Sequence, residues 1–324
     1  MGTRSWSVGV ALGAAAALGA CGAPEDAGRA ASPAAFQPIV GYADLHVHQF
    51  ANLGFGGLML WGAPFDPGDD MAAALPHCDF AWLLAVNPIG LPVPPIPPFG
   101  VPIHGPGGIG DLIGLAMTGR LHDVGGFPEF DGWPTWWTTT HQQAYYQWLE
   151  RAHRGGLRLM VMHAVNNRLL CAVSNQRLGF GCDDMDAADR QIDGALAMER
   201  FIDALHGGPG QGWYRIARSG REARAIIESG KLAVVLGIEV DDLFRCNAGG
   251  CTADSVRAEL DRYHAKGVRT LYPVHLFDNA FGGAAEYSDL FNVGNFLLTG
   301  RYFDVRDCSA DGVQFQFGGG DPIL

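Results

Sequence analysis

Four apolar runs, 42–47, 157–165, 231–240 and 267–276, punctuate the chain, each opening after a glycine or a turn signal. Runs of this length without polar alternation predict strands buried on both faces, as in parallel sheets. Between the last three lie helical spacings. Residues 187–205 carry Ile192, Leu196, Phe201 and Leu205, residues 219–229 stop at Gly230, and residues 252–266 have Asp254 near the start and stop at Gly267. Strand, helix and strand repeated in this way predict βαβ units, hence an α/β fold with a parallel sheet.

The first interval breaks that rhythm. Residues 49–156 form a long insertion that contains the proline-rich run 92–98 and four tryptophans, Trp133, Trp136, Trp137 and Trp148. Loops of this length are rare in compact domains unless they cap a site or bind something. The proline run predicts a stiff extended segment, and the tryptophans predict a local mini-core or lid in preference to a ligand platform. A helix over 139–154 then returns the chain to the second strand.

The N-terminus addresses the compartment. Arg4 precedes the uncharged, alanine-rich stretch 8–20, which is too short for the roughly 20 residues of a membrane span and reads as a secretory signal. It closes on Leu18-Gly19-Ala20-Cys21, similar to the bacterial lipobox, so Cys21 is the expected lipidation site; the alternative is an ordinary cleaved signal with an incidental cysteine. Residues 1–20 are thus the signal, 21–38 an Ala/Gly/Pro-rich tether, and 39–324 the folded part. The expected location is the cell envelope, with a lipid anchor as the only membrane contact.

Setting Cys21 aside leaves six of the seven cysteines, an even number suited to an oxidising compartment. Cys246 with Cys251 and Cys171 with Cys182 bracket short loops and are the expected disulfides; Cys78 and Cys308 are left open. The net charge of −12 argues against a nucleic-acid partner, which would require a basic face. With 48% hydrophobic residues and 46 glycines the chain reads as a folded, loop-rich protein.

Candidate chemistry gathers at the ends of the apolar runs. In Asp44-Leu45-His46-Val47-His48 the two histidines stand two apart on a strand and face one side. Two neutral imidazoles beside a carboxylate suit a divalent transition metal, zinc above all, although an exposed strand can carry such a pair by chance. Glu239, closing the third run, is the expected third metal ligand and a candidate bridge between two ions; the plainer reading makes it the first residue of an acidic turn. His163 closes the second run either as a satisfied core group or as a member of the site. Catalytic groups at the C-terminal ends of strands are the habit of (β/α)8 TIM barrels, and His46, His48, His163, Glu239 and His275 all fall there.

The run from Gly267-Val268-Arg269 through Val274-His275 to Asp278-Asn279-Ala280-Phe281-Gly282 resembles a segment of the membrane (renal) dipeptidase family, within the metal-dependent amidohydrolases. Leu236-Gly237-Ile238-Glu239 looks like that family's strand ending in a bridging glutamate, and Asp44-Leu45-His46-Val47-His48 like its opening metal motif. The resemblance covers residues 42–282. It implies His46 as ligand of one zinc, Glu239 as bridge to a second, His275 as the catalytic group that polarises the scissile carbonyl, and Asn279 as a substrate contact. His48 stands where the family usually has an aspartate. The family takes further ligands from later strands, yet no histidine follows His275. The expected fold is therefore an incomplete TIM-type barrel of about four strand-helix units, with two zinc ions only in a complete barrel and no activity in a fragment.

These features predict a zinc-dependent hydrolase of dipeptides or related small amides. Two alternatives are a phosphoesterase of the polymerase-and-histidinol-phosphatase type, which also opens with Asp-x-His-x-His, and a non-catalytic surface lipoprotein that binds a partner through its Trp-rich insertion.

Overall fold

The structure, a computed structural model, describes residues 38–77, 125–135, 140–172, 176–177, 179–246, 250–284, 289–304, 310 and 312. The signal, Cys21 and nearly all of the tether, the proline run, Trp136, Trp137, Cys78 and Cys308 lie outside them.

Five strands form one parallel sheet: β1 (Tyr42–Val47), β2 (Leu157–Asn166), β3 (Tyr214–Ile216), β4 (Leu232–Val240) and β5 (Val268–Tyr272). The long helices are α1 (Tyr146–Arg154), α2 (Asp184–Leu205), α3 (Gly220–Glu228), α4 (Ala253–Lys266) and α5 (Asp289–Thr299). The sheet is ordered β1-β2-β4, and β3 and β5 divide the remaining edge of β4 between them. β3 pairs with Leu232 to Val234, and β5 with Leu236 to Glu239. Central β2 and β4 run in register from Leu159↔Ala233 to Asn166↔Val240, buried nearly throughout, as strands covered on both faces must be. By contrast β1 is exposed along most of its length, the mark of an edge strand with one partner.

Side-chain alternation sorts the two faces. Met160, Met162 and Ala164 of β2, with Val234, Leu236 and Ile238 of β4, join Met185, Ile192 and Met198 of α2 in the main core. The opposite face bears Leu159, Ala233 and Val235, which pack under Ala223, Ile226 and Ile227 of α3. The order explains the placement. The chain goes from β2 past β4 to reach β3 and then returns to β4, and right-handed crossovers in opposite directions put α2 and α3 on opposite faces. Because α3 covers only the N-terminal half of its face, the end bearing His163, Gly237 and Glu239 is left for other groups.

Three helix starts are fixed by side chains: Asp183 accepts from Met185 N and Asp186 N, Ser219 from Glu222 N, and Thr252 exchanges hydrogen bonds with Ser255 in a capping box. α4 ends on Gly267, whose φ of 107° a side chain would resist.

Three elements differ from expectation. β3 has three residues, too few to show as a hydrophobic run. The helix expected over 139–154 begins at Tyr146, because Thr140 and Gln142 are tied by backbone bonds to Trp61 and the Tyr146 amide donates to Pro64 O. The fourth run ends as a strand at Tyr272, so His275 lies in the segment beyond the sheet. Of the tryptophan cluster, Trp133 is buried in the main core and Trp148 packs against it, joined through Phe130, so these two are core groups.

Candidate metal centre

The C-terminal ends of β1, β2 and β4 bring their polar groups together. His46 Nε2 lies 3.1 Å from His48 Nε2 and 2.7 Å from Glu239 Oε2, and His48 Nε2 lies 3.5 Å from the same oxygen. Four donors around zinc, with bonds of about 2.0–2.1 Å, stand about 3.3–3.4 Å apart in a tetrahedron, and these three separations bracket that figure. Among the described residues this is the one group of three donors of its kind. Glu239 is buried, His48 half-buried and His46 exposed, so the cluster opens outward on the His46 side.

The fit to a cation also rests on unmet bonding capacity. Glu239 Oε2 is buried and accepts no hydrogen bond of good geometry, even though His46 Nε2 is in range. A buried carboxylate oxygen left in that state is costly unless something positive completes it. Burial first, with His46 and His275 adding to it, pushes the His48 pKa down to about 4, against one hydrogen bond to His163 O that raises it. At neutral pH His48 is therefore unprotonated and offers a lone pair, which metal ligation requires.

His163 belongs to this place. Its ring sits 5.0 Å from that of His46 and 5.0 Å from that of Tyr272, and burial, followed by His46, lowers its pKa to about 4. Its Nδ1 is buried without a hydrogen-bond partner and packs on the backbone of Gly237. His163 is thus a neutral wall of the site behind His46, not one of the three converging donors.

His275 reaches the other side of Glu239, its Nε2 3.6 Å from Oε1 and its Nδ1 3.7 Å from Asp241 Oδ1. Both separations are too long for hydrogen bonds. Burial lowers the His275 pKa, but Asp241 and then Glu239 outweigh it, and the net shift is upward. Asn279 donates to Asp241 O at 3.0 Å and Pro273 O at 2.7 Å, and its Oδ1 accepts from Phe281 N. With both amide hydrogens spent inside the protein, Asn279 serves here as a brace of the loop.

Two neighbours escaped the sequence reading. Tyr272, the last residue of β5, lays its half-exposed ring 5.4 Å from that of His46. Asp241 is buried, with Oδ2 accepting from Asn167 Nδ2 and Oδ1 from Leu276 N and Phe277 N. Its spacing of two from Glu239 was the available signal, since alternate residues at a strand end share a face.

Both expected disulfides are present: Cys171–Cys182 and Cys246–Cys251. No helix among the described residues is long and apolar enough to cross a membrane. The chain has no significant match to a protein-family model, a curated protein or a solved structure.

Proposed function

We propose that this chain carries the zinc centre of a metal-dependent hydrolase acting on dipeptides or related small amides. The observation that carries the reading is the convergence of His46 Nε2, His48 Nε2 and Glu239 Oε2 within 3.5 Å of one another. Three protein donors with a fourth position open is the arrangement of catalytic zinc. A metal held there supplies Lewis acidity and a nucleophile drawn from water near neutral pH.

The protein's own groups supply the rest. Glu239 Oε1, not needed by the first position, is the oxygen available to bridge toward a second. His275, with Nε2 3.6 Å from Glu239 Oε1, is the group placed to meet the oxygen of a scissile carbonyl as charge develops on it. The rings of Tyr272 and His163 border the site beside His46. Placement at the C-terminal ends of parallel strands is common to TIM-type barrels and open α/β sheets, so the barrel is proposed from the family resemblance alone. The lipobox-like sequence supports an envelope lipoprotein; Cys21→Ser should shift the protein from membrane to soluble fractions.

The test is zinc content by mass spectrometry and dipeptide hydrolysis by the protein isolated from its own host. Stoichiometric zinc lost in Glu239→Gln, together with hydrolysis, is the expected result. Protein that purifies without metal and cannot be loaded would overturn the reading, in favour of a non-catalytic lipoprotein.

A further inference from the structure

His275 lies three residues past the end of β5, so the sheet does not hold it. Asp241 does. Its Oδ1 accepts from the two backbone amides that follow His275, Leu276 N at 2.7 Å and Phe277 N at 3.2 Å. Its own backbone carbonyl receives Asn279 Nδ2 at 3.0 Å, which closes the far end of the same loop. The carboxylate is in turn fixed from β2, where Asn167 Nδ2 donates to Oδ2 at 2.8 Å. The next residue is fastened too: the Asp242 amide donates to Asp184 Oδ2 at 2.7 Å, and Asp184 Oδ1 accepts from Asn166 Nδ2 at 2.6 Å. Consecutive asparagines at the end of β2 thus anchor two carboxylates, of which only Asp241 faces His275, its Oδ1 3.7 Å from Nδ1.

We infer that Asp241 is the positioning residue for His275: it ties the 275–279 segment to the end of β4 and aims the imidazole at Glu239. The inference rests on the metal-centre reading for its catalytic meaning but not for its geometry. At 3.7 Å Asp241 Oδ1 faces the far nitrogen of the ring without bonding it, so the carboxylate holds His275 chiefly through the Leu276 and Phe277 amides of the backbone that carries the ring. A loop histidine without such support would sample several rotamers and lose the orientation that positioned groups contribute to catalysis.

The test uses the full chain, labelled with ¹⁵N-histidine, metal-free and at one fixed pH, with the His275 ring signals assigned by loss in His275→Gln. Asp241→Asn should shift the His275 ring nitrogens and raise amide hydrogen exchange at Leu276 and Phe277 by about tenfold or more. Asp184→Asn, which cuts the parallel anchor and reaches His275 only as a weaker, more distant charge, should move the His275 ring signals far less. If Asp241→Asn leaves the ring and both amides as in the wild type, or if Asp184→Asn moves the ring equally, the assignment is overturned and Asp241 is only a structural carboxylate. Should Asp241→Asn fail to fold, Asn167→Ala releases Oδ2 alone; a smaller shift in the same direction supports the inference, and no shift overturns it. Zinc content measured separately on the wild type decides the metal-centre reading, so the two can fail independently.

Discussion

The imidazole of His163 approaches Gly237 so closely that a Cβ on residue 237 would stand 2.5 Å from His163 Nδ1 and 2.6 Å from Thr270 Cγ2. The two residues are direct partners in the β2–β4 register, and glycine is what lets a ring occupy the inner face of the sheet next to His46. The buried His163 ring also has Tyr272 and His46 as neighbours, each 5.0 Å away between ring centres.

Gly237→Ala is therefore expected to overpack the site. It should destabilise the fold by about 1–3 kcal/mol, as extra methyl groups in packed interiors do. By pushing His163 onto His46 it should also weaken metal retention. Thermal unfolding and zinc content check both; a variant as stable and as well loaded as the wild type would show that the ring can move aside.

Much of this site is legible in the sequence because its parts sit at the ends of long apolar runs. β1 and its two histidines, and β4 and its glutamate, are visible from residue type and period alone. What stays hidden is whatever depends on partners distant along the chain. β3 is too short to carry a pattern, and its position between β4 and α2 follows from the crossovers and not from its three residues. The role of Asp241 is invisible for the same reason, since its partners Asn167 and Leu276 lie far away in sequence. At Asn279 the motif suggested a substrate contact, and what the sequence did not show is that its amide also braces the loop through Asp241 O and Pro273 O.

In a chain that completes the barrel, the metal and catalytic roles should separate by mutation. His46→Ala and Glu239→Gln each remove one of the three converging donors and should lose metal and hydrolysis together. His275→Ala leaves the three donors intact, so it should keep metal and lose turnover by about 10²-fold or more, as expected for a donor to a developing oxyanion. Metal analysis beside a hydrolysis assay makes the comparison. Metal loss in His275→Ala would instead make that histidine a ligand.

The disulfides close loops of different length, with sequence separations of 5 for Cys246–Cys251 and 11 for Cys171–Cys182. Chain-entropy arguments assign the shorter about 2 kcal/mol and the longer about 3 kcal/mol. Peptide mapping without reduction should recover both pairs. Reduction should lower the melting temperature, with Cys171→Ser/Cys182→Ser the more damaging double variant; free thiols at all four positions in native protein would refute the pairing.

Asp184 makes the stability depend on pH in an unusual sense. Burial first, with Asp241 and Asp242 adding to it, raises its pKa to about 7 against the opposing hydrogen bonds from Asp242 N and Asn166. The native state then holds a proton that the unfolded chain, titrating near 3.8, releases. Where the folded state binds more protons, stability falls as pH rises, so the contribution of Asp184 is fully present below about pH 4 and is lost on passing through about pH 7. The slope for one proton is at most about 1.4 kcal/mol per pH unit. Asp184→Asn cannot ionise, and it gives up one acceptor at every pH. Its stability relative to wild type should therefore be poorest at about pH 4 and below and should recover between about pH 4 and about pH 7. Denaturant unfolding of both proteins across that range measures the difference. A gap that stays constant with pH would mean that Asp184 is ionised throughout, its charge carried by the amides of Asp242 and Asn166.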